Sequence, residues 1–233
     1  MNTFGRFIMT FALLGLVGAG CFANQEVVVN MDDDMDTPAQ LDENDSDAEE
    51  VEIEEGTYSV NEEASIVTWV GRKTGGQHNG TIDIADGSLT VGESASGEVV
   101  IDMTTIVDLD LEDEEMNEQL VTHLKSDDFF AVETYPTAMF TVTQLESMGG
   151  DENIQVTGMF TMKDITNEVT FPAQLVETEN GYQLKAQFEL DRSKWDVRFG
   201  SQTLLGDAIN ILIDDMITIG LDIVLVSADQ TAE

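Results

Sequence analysis

The chain has 233 residues, of which 47 are acidic and 9 are basic, so its formal net charge at pH 7 is −38. This charge excludes nucleic acid as a partner, because nucleic-acid-binding proteins neutralise phosphates with clustered Lys and Arg side chains. The single cysteine, Cys21, excludes an internal disulfide and a cysteine-based metal site.

The N-terminus has the pattern of an export signal, which we assign to residues 1–20. The apolar run Phe7–Val17 is too short to span a bilayer, and small residues follow it. Small residues before a cysteine are typical of a lipoprotein signal, so we predict lipidation of Cys21 and a membrane anchor. The alternative is ordinary cleavage after Ala23. We therefore expect export to the periplasmic face of a bacterial membrane, with the outer membrane as a candidate, or to the periplasm.

Residues 21–56 are predicted to be an acidic, disordered tether. From Val27 onward this segment is rich in Asp, Glu, Asn and Gln and has no aromatic residue, so it cannot bury enough apolar surface to offset the entropy of ordering. Within this segment, four carboxylates have the spacing of positions 1, 3, 5 and 12 of a calcium-binding EF-hand loop: Asp32, Asp34, Asp36 and Glu43. However, Thr37 stands where that loop needs Gly, so we predict a solvated acidic run without a metal site.

From Tyr58 onward the apolar residues alternate with more polar ones, which is typical of half-buried β-strands. Turn signals at Asp86–Gly87, Gly149–Gly150 and Asn180–Gly181 separate several of these runs. Many short strands with little helix predict a barrel or a sandwich. We expect one all-β domain over residues 57–227, followed by a short tail, 228–233. The main alternating runs are Ile66–Gly71, Val99–Thr104, Ala138–Val142, Ile154–Met162, Val169–Leu175, Tyr182–Leu190 and Ile217–Leu225.

One segment, Glu114–Lys125, has helical rather than strand periodicity. Met116, Leu120, Val121 and Leu124 recur at helical spacing, acidic residues occupy the first turn and Lys125 lies in the last. This charge order suits the helix dipole. The sequence therefore predicts one helix within the β-domain.

Motifs for catalysis or cofactor binding are missing from the sequence. Gly92–Ser96 resembles a nucleophile elbow but ends in Ser instead of Gly. His78 and His123 are 45 positions apart, and neither has a second His or Cys nearby. They could meet in space with an acid to bind a metal, but we expect ordinary structural hydrogen bonds. We therefore predict that the protein is not an enzyme and has no metal and no cofactor, apart from a bound isoprenoid or acyl lipid.

Four segments in this order resemble the YceI-like family of polyisoprenoid-binding proteins. The resemblance covers about residues 57–227 and implies an extended lipocalin-like antiparallel β-barrel with one helix, which agrees with the strand pattern. The segments are Val70–Gly71 through His78–Gly80; His123–Phe130 continuing to Tyr135–Pro136 and Phe140; Gly158–Lys163 with Thr166; and Asp191–Trp195 running to Phe199–Ser201.

The resemblance also implies that the barrel binds a long apolar chain, such as a polyisoprenoid, an isoprenoid quinone or a fatty-acyl lipid. We expect the protein to carry or sequester such a ligand in the cell envelope, and a homodimer is an open alternative to a monomer. The competing hypothesis is a ligand-free, stress-linked interaction module that acts through its loops. The residues expected to line the ligand site are aromatic: Trp69, Phe129, Phe130, Phe140, Phe160, Phe171, Phe188 and Trp195.

Overall fold

The alternating segments form nine antiparallel strands within residues 53–201 and 212–228, which are the residues that the computed structural model describes. The predicted signal segment, Cys21 and most of the predicted tether and tail lie outside these residues. No helix among the described residues is long and apolar enough to cross a bilayer. The strands are β1 (Gly56–Val60), β2 (Ile66–Lys73), β3 (Gly76–Val91), β4 (Ala95–Asp108), β5 (Thr137–Ser147), β6 (Ile154–Met162), β7 (Ile165–Thr178), β8 (Gly181–Asp191) and β9 (Met216–Ser227), and the helix is α1 (Glu114–Lys125).

Strands β2 to β9 close into an eight-stranded barrel. Each strand pairs with the next along the chain, and β9 returns to β2 over Ile66↔Asp222 to Val70↔Thr218. Strand β1 lies in line with β2, pairs with both β3 and β9, and is separated from β2 by the short 3₁₀ turn Glu62–Ala64. This closed antiparallel barrel with a single helix confirms the predicted fold class.

The alternation of the sequence determines which side chains fill the barrel. On β6 the residues from Ile154 to Met162 with even numbers point inward, as the predicted apolar face requires. On β2 both faces are apolar, and the structure turns Val67 and Trp69 inward while Thr68 is exposed. Burial of the large indole therefore decides the orientation of this strand.

The predicted turn at Asp86–Gly87 is wrong. Strand β3 continues through both residues to Val91, with a register shift against β4 between Ile84 and Asp86. Gly87 is needed there for close packing, because a Cβ atom at this position would lie 2.6 Å from Cγ2 of Val60. The predicted turns at Gly149–Gly150 and Asn180–Gly181 do fall between strands or at a strand start.

The helix α1 has the predicted bounds, Glu114–Lys125. The side chain of Asp113 accepts a hydrogen bond from the amide of Met116 (3.0 Å) and so caps its N-terminus. The helix begins shortly after the end of β4 and lies at one end of the barrel, together with the β2–β3 and β6–β7 turns. We call this the α1 end; the β7–β8 turn lies at the opposite end.

The chain contacts the barrel slightly before the first strand. Ile53 packs against the core, and Glu54 is hydrogen-bonded to two tyrosine hydroxyls at the opposite end: its amide donates to Tyr182 (3.0 Å), and its carbonyl accepts from Tyr58 (2.9 Å). These contacts fall within residues 21–56, the predicted tether.

Candidate functional site

The interior of the barrel contains a cavity of about 510 Å³. Its wall is built from inward-facing side chains of β2 to β9 and from α1, and it is almost wholly aliphatic or aromatic. The cavity extends to the α1 end, where the exposed Arg72, Lys73 and Phe199 also line it. The shape is therefore a deep apolar pocket with its polar groups at one end.

An aromatic cluster forms one side of the pocket. The rings of Phe171 and Phe188 are stacked, with centroids 4.3 Å apart, and Phe140 lies 5.7 Å from Phe171. These residues come from inward-facing positions on β5, β7 and β8. Trp69 and Phe160 line the pocket as well.

A second aromatic cluster lies at the α1 end. His123 on α1 contacts Phe199 and Phe129 edge to face, with ring centroids 4.4 and 5.6 Å apart, and Phe130 packs on Phe129. All four residues line the cavity, and Phe199 is 41% exposed. This cluster therefore forms the aromatic rim through which the cavity meets the surface.

Seven of the eight predicted lining residues border the cavity: Trp69, Phe129, Phe130, Phe140, Phe160, Phe171 and Phe188. Trp195 does not. It is 1% exposed, its indole donates a hydrogen bond to the carbonyl of Phe160 (3.0 Å), and its ring packs against that of Phe160. It therefore supports the cavity wall from behind. That these side chains bind a ligand remains a prediction.

Much of the aliphatic wall and part of the rim were not among the predicted lining residues. The alternation on β9 predicted an apolar face, and this face supplies Ile217, Ile219, Leu221 and Ile223 to the cavity. Phe199 and Ile213 lie outside the named strands, so periodicity could not have indicated them. His123 was expected to make ordinary hydrogen bonds, whereas its ring lines the cavity.

Cationic side chains are concentrated at the α1 end of the cavity. Of the nine Lys and Arg residues in the whole chain, three line the cavity at this end: Arg72, Lys73 and Arg192. Arg72 is held by the hydroxyl of Thr218 (2.9 Å) and lies 3.8 Å from Glu189. These groups place positive charge beside the open end of an otherwise apolar pocket.

Arg192 has a structural role at this end. It is 1% exposed and donates to the carbonyls of Asp214 (3.0 Å), Val197 (2.9 Å) and Ile213 (3.1 Å). Its guanidinium also lies 5.5 Å from the ring centroid of Phe129. Burial lowers the pKa of Arg192, and the carboxylates of Asp215, Asp191 and Asp214 oppose that shift.

Three potential metal ligands meet beside the cavity. His78, which lines the pocket, has Nδ1 3.1 Å from Oδ2 of Asp110 and 3.8 Å from Oδ2 of Asp108. Burial raises the pKa of Asp108, although a hydrogen bond from the Leu111 amide opposes the shift. Burial would also raise the pKa of Asp110, but the hydrogen bond from the Asn79 amide and the neighbouring side chains of Asp108 and His78 lower it overall.

Comparisons with known proteins agree with this fold. The model of the YceI-like domain family matches residues 58–225. A curated relative, UPF0312 protein plu2095 of Photorhabdus laumondii, is 36% identical over 98 residues, which cover 42% of this chain and 48% of the relative. The chain therefore matches about half the length of this relative.

Two solved structures share the architecture. BcnA of Burkholderia cenocepacia is 21% identical, with a TM-score of 0.57, over 72% of this chain and 99% of that chain. A polyisoprenoid-binding domain from Saccharophagus degradans, described as implicated in plant cell wall breakdown, is 14% identical, with a TM-score of 0.53, over 73% and 98%. At these identities the similarity demonstrates a common fold.

Proposed function

We propose that this chain, which belongs to the YceI-like domain family, binds a long apolar chain inside its barrel and carries or sequesters it in the cell envelope. Polyisoprenoids, isoprenoid quinones and fatty-acyl lipids are the ligand classes that the proposal covers. The observation that carries it is the apolar cavity of about 510 Å³, which lies within the range of roughly 300–1,000 Å³ for ligand pockets.

A cavity of this size is difficult to explain as ordinary core packing. Protein interiors are close-packed and contain few voids larger than a water molecule. An apolar space of about 510 Å³ therefore loses contacts that a filled core would make. A bound apolar chain would restore those contacts, so the cavity favours binding over a ligand-free interaction module.

The wall suits a ligand with a long tail and a small polar head. Sheltering one five-carbon isoprene unit from water is worth about 4 kcal/mol at ~0.8 kcal/mol per carbon. The interior wall offers this shelter, whereas Arg72, Lys73 and the two histidines line the α1 end. The tail would therefore lie inside the barrel that β2 to β9 form, and the head would remain at the α1 end.

The place of action is also a proposal. Export and attachment to a membrane through lipidated Cys21 follow from the N-terminal pattern, and they would position the barrel beside a lipid source. A bilayer shelters an apolar tail about as well as the barrel does, so transfer between the two is close to balanced. This balance suits a carrier.

The experiment is to purify the protein from its native cells and to analyse an organic extract by mass spectrometry. We expect an apolar long-chain compound in near-stoichiometric amount. The double variant Val99→Trp and Val169→Trp should lower the fraction of protein that carries ligand severalfold. Both valines line the cavity, so the larger side chains would fill part of it.

The matched control is Glu98→Trp with Glu168→Trp. These residues are the immediate neighbours on the same strands and are exposed, so the added rings face solvent. Circular dichroism verifies that both double variants retain a β-fold. A wild type without extractable lipid, or a filled-cavity variant with unchanged loading, would refute the carrier and favour the interaction module.

A further inference from the structure

We infer that His78, Asp108 and Asp110 form a binding site for a divalent transition-metal ion at the α1 end of the barrel. One potential ligand atom from each residue lies within 4.8 Å of the other two, and Nδ1 of His78 is 3.1 Å from Oδ2 of Asp110 and 3.8 Å from Oδ2 of Asp108. The inference goes beyond the proposed lipid binding and does not depend on it.

The strand register brings the three residues together. Gly80 pairs with Asp108 across β3 and β4, and extending this antiparallel register by two residues places His78 opposite Asp110. The amide of Leu109 donates to the carbonyl of Asn79 (2.8 Å), so the pairing continues past the end of β4. The cluster therefore belongs to the rigid barrel rather than to a free loop.

Neighbouring donors orient both carboxylates. Oδ1 of Asp108 accepts from the amide of Leu111 (2.9 Å) and from Nδ2 of Asn117 (3.3 Å), and Oδ1 of Asp110 accepts from the amide of Asn79 (2.7 Å). The second oxygen of each carboxylate is thereby directed at His78. Such outer contacts are what hold metal ligands in a fixed orientation.

Asp108 provides the independent indication that a ligand belongs here. Its side chain is 0% exposed, and its Oδ2 has no hydrogen-bond partner among the described residues. Buried polar atoms in native proteins are almost always satisfied by protein, water or an ion. This oxygen lies among the three donor atoms, so a cation bound there would satisfy it.

The donor set selects the class of ion. Ligand atoms at about 2.1 Å from a common metal lie roughly 3.0–3.4 Å from one another. The distance from Nδ1 of His78 to Oδ2 of Asp110, 3.1 Å, falls in this range, and the distance to Oδ2 of Asp108, 3.8 Å, is slightly longer. One imidazole with two carboxylates suits Zn²⁺, Mn²⁺, Fe²⁺, Co²⁺ or Ni²⁺ better than Mg²⁺ or Ca²⁺, which prefer oxygen alone. The side chains of His78 and Asp110 are 16% and 29% exposed, which leaves water room to complete the coordination.

The test uses EDTA-stripped wild-type protein and Zn²⁺ as the probe, with Co²⁺ as a spectroscopic substitute. At a free Zn²⁺ concentration about a hundred times Kd, the melting temperature should rise by roughly 5–10 °C. Co²⁺ should give visible d–d absorption that Zn²⁺ abolishes. Mg²⁺ at the same concentration should have neither effect, which separates a specific site from condensation of cations on an acidic surface.

Two substitutions and one control distinguish this site from a simple ion pair. Asp108→Asn and His78→Gln should each abolish the Zn²⁺-dependent shift, whereas Asp83→Asn, at an exposed position on the same strand as His78, should retain it. In EDTA, the Asp108→Asn variant should melt at or above the wild-type temperature. Its side-chain oxygen can still accept hydrogen bonds from the Leu111 amide and Asn117, and the substitution removes the cost of burying a carboxylate. A wild type that does not respond to Zn²⁺ or Co²⁺, or an Asp108→Asn variant that still responds, would overturn the inference and leave an ordinary His78–Asp110 ion pair.

Discussion

At the scale of single residues, Arg192 is a buried cation that connects several segments of the α1 end. It directly follows β8, and its guanidinium packs against the ring of Phe129. It donates hydrogen bonds to the carbonyl of Val197 on one side of residues 202–211, which lie outside the described residues, and to those of Ile213 and Asp214 on the other side. A planar guanidinium with five donors can serve these acceptors together, whereas a lysine ammonium cannot match their directions.

Arg192→Lys is therefore expected to lower the free energy of unfolding by about 2–4 kcal/mol, since buried carbonyls lose their donors. For a domain of this size, the melting temperature should fall by roughly 5–15 °C, measured by circular dichroism. The control is Arg198→Lys: Arg198 is exposed and pairs with Asp196, so its replacement should have little effect. Equal stability of the two variants would contradict this role for Arg192.

Strand alternation also limited what could be predicted for single residues. Phe140, Phe160, Phe171 and Phe188 stand on clear apolar faces, and the structure places all four on the cavity. Trp195 occupies a 3₁₀ turn, where no two-residue period applies, and it lies behind the wall instead. The metal ligands lie at the end of one strand, in the following turn and on another strand, so their proximity depends on register, which spacing along the chain does not reveal.

At the scale of elements, glycines within strands make room for the large aromatic rings. A Cβ atom at Gly158 on β6 would lie 2.4 Å from Cζ of Phe140 and 2.5 Å from the carbonyl oxygen of Thr141. At Gly80 on β3 it would lie 2.8 Å from the Trp69 ring. Each glycine thus lets an inward-facing ring lie against the neighbouring strand rather than across the cavity.

Gly158→Ala should consequently cost about 1–3 kcal/mol, because both a ring and a backbone carbonyl must shift. Chemical denaturation measures this change. The displaced Phe140 ring should also reduce lipid loading. Gly76→Ala is the matched control, since nothing lies within 4 Å of a Cβ atom at that strand position, and it should change stability by less than about 0.5 kcal/mol. If Gly158→Ala were equally neutral, the close approach would not constrain the barrel.

Local signals were informative for the helix and misleading for one glycine. The bounds of α1 followed from acidic residues at its start, Lys125 at its end and apolar residues between, because capping and dipole interactions are local. Asp86–Gly87 carries an equally strong turn signal, yet Gly87 serves close packing against Val60 on β1. Tertiary contacts of this kind cannot be deduced from a dipeptide.

At the scale of the whole molecule, the N-terminal side of the barrel is stabilised by residues just before β1. Tyr58 and Tyr182 are both buried, their rings pack edge to face with centroids 5.4 Å apart, and both hydroxyls bond to the backbone of Glu54. Burial, together with Tyr182, raises the pKa of the Tyr58 hydroxyl, which donates the hydrogen bond to the Glu54 carbonyl. The barrel domain therefore begins no later than Ile53, a few residues before the boundary drawn from composition.

Truncation can locate this boundary. A chain that starts at Ile53 should melt within about 2 °C of one that starts at Asn24, because the acidic segment lacks the apolar residues to join a core. A chain that starts at Thr57 loses the packing of Ile53 and leaves two buried hydroxyls without their partners, which should cost about 2–3 kcal/mol. Its melting temperature should therefore fall by roughly 5–10 °C in differential scanning calorimetry.

Tyr58→Phe in the chain that starts at Ile53 should reproduce part of this loss, since it removes one hydrogen bond and retains the ring. If the chain starting at Thr57 melts with the other two, Glu54 contributes nothing to the barrel; if the chain starting at Ile53 already melts lower, residues 24–52 contribute to its stability.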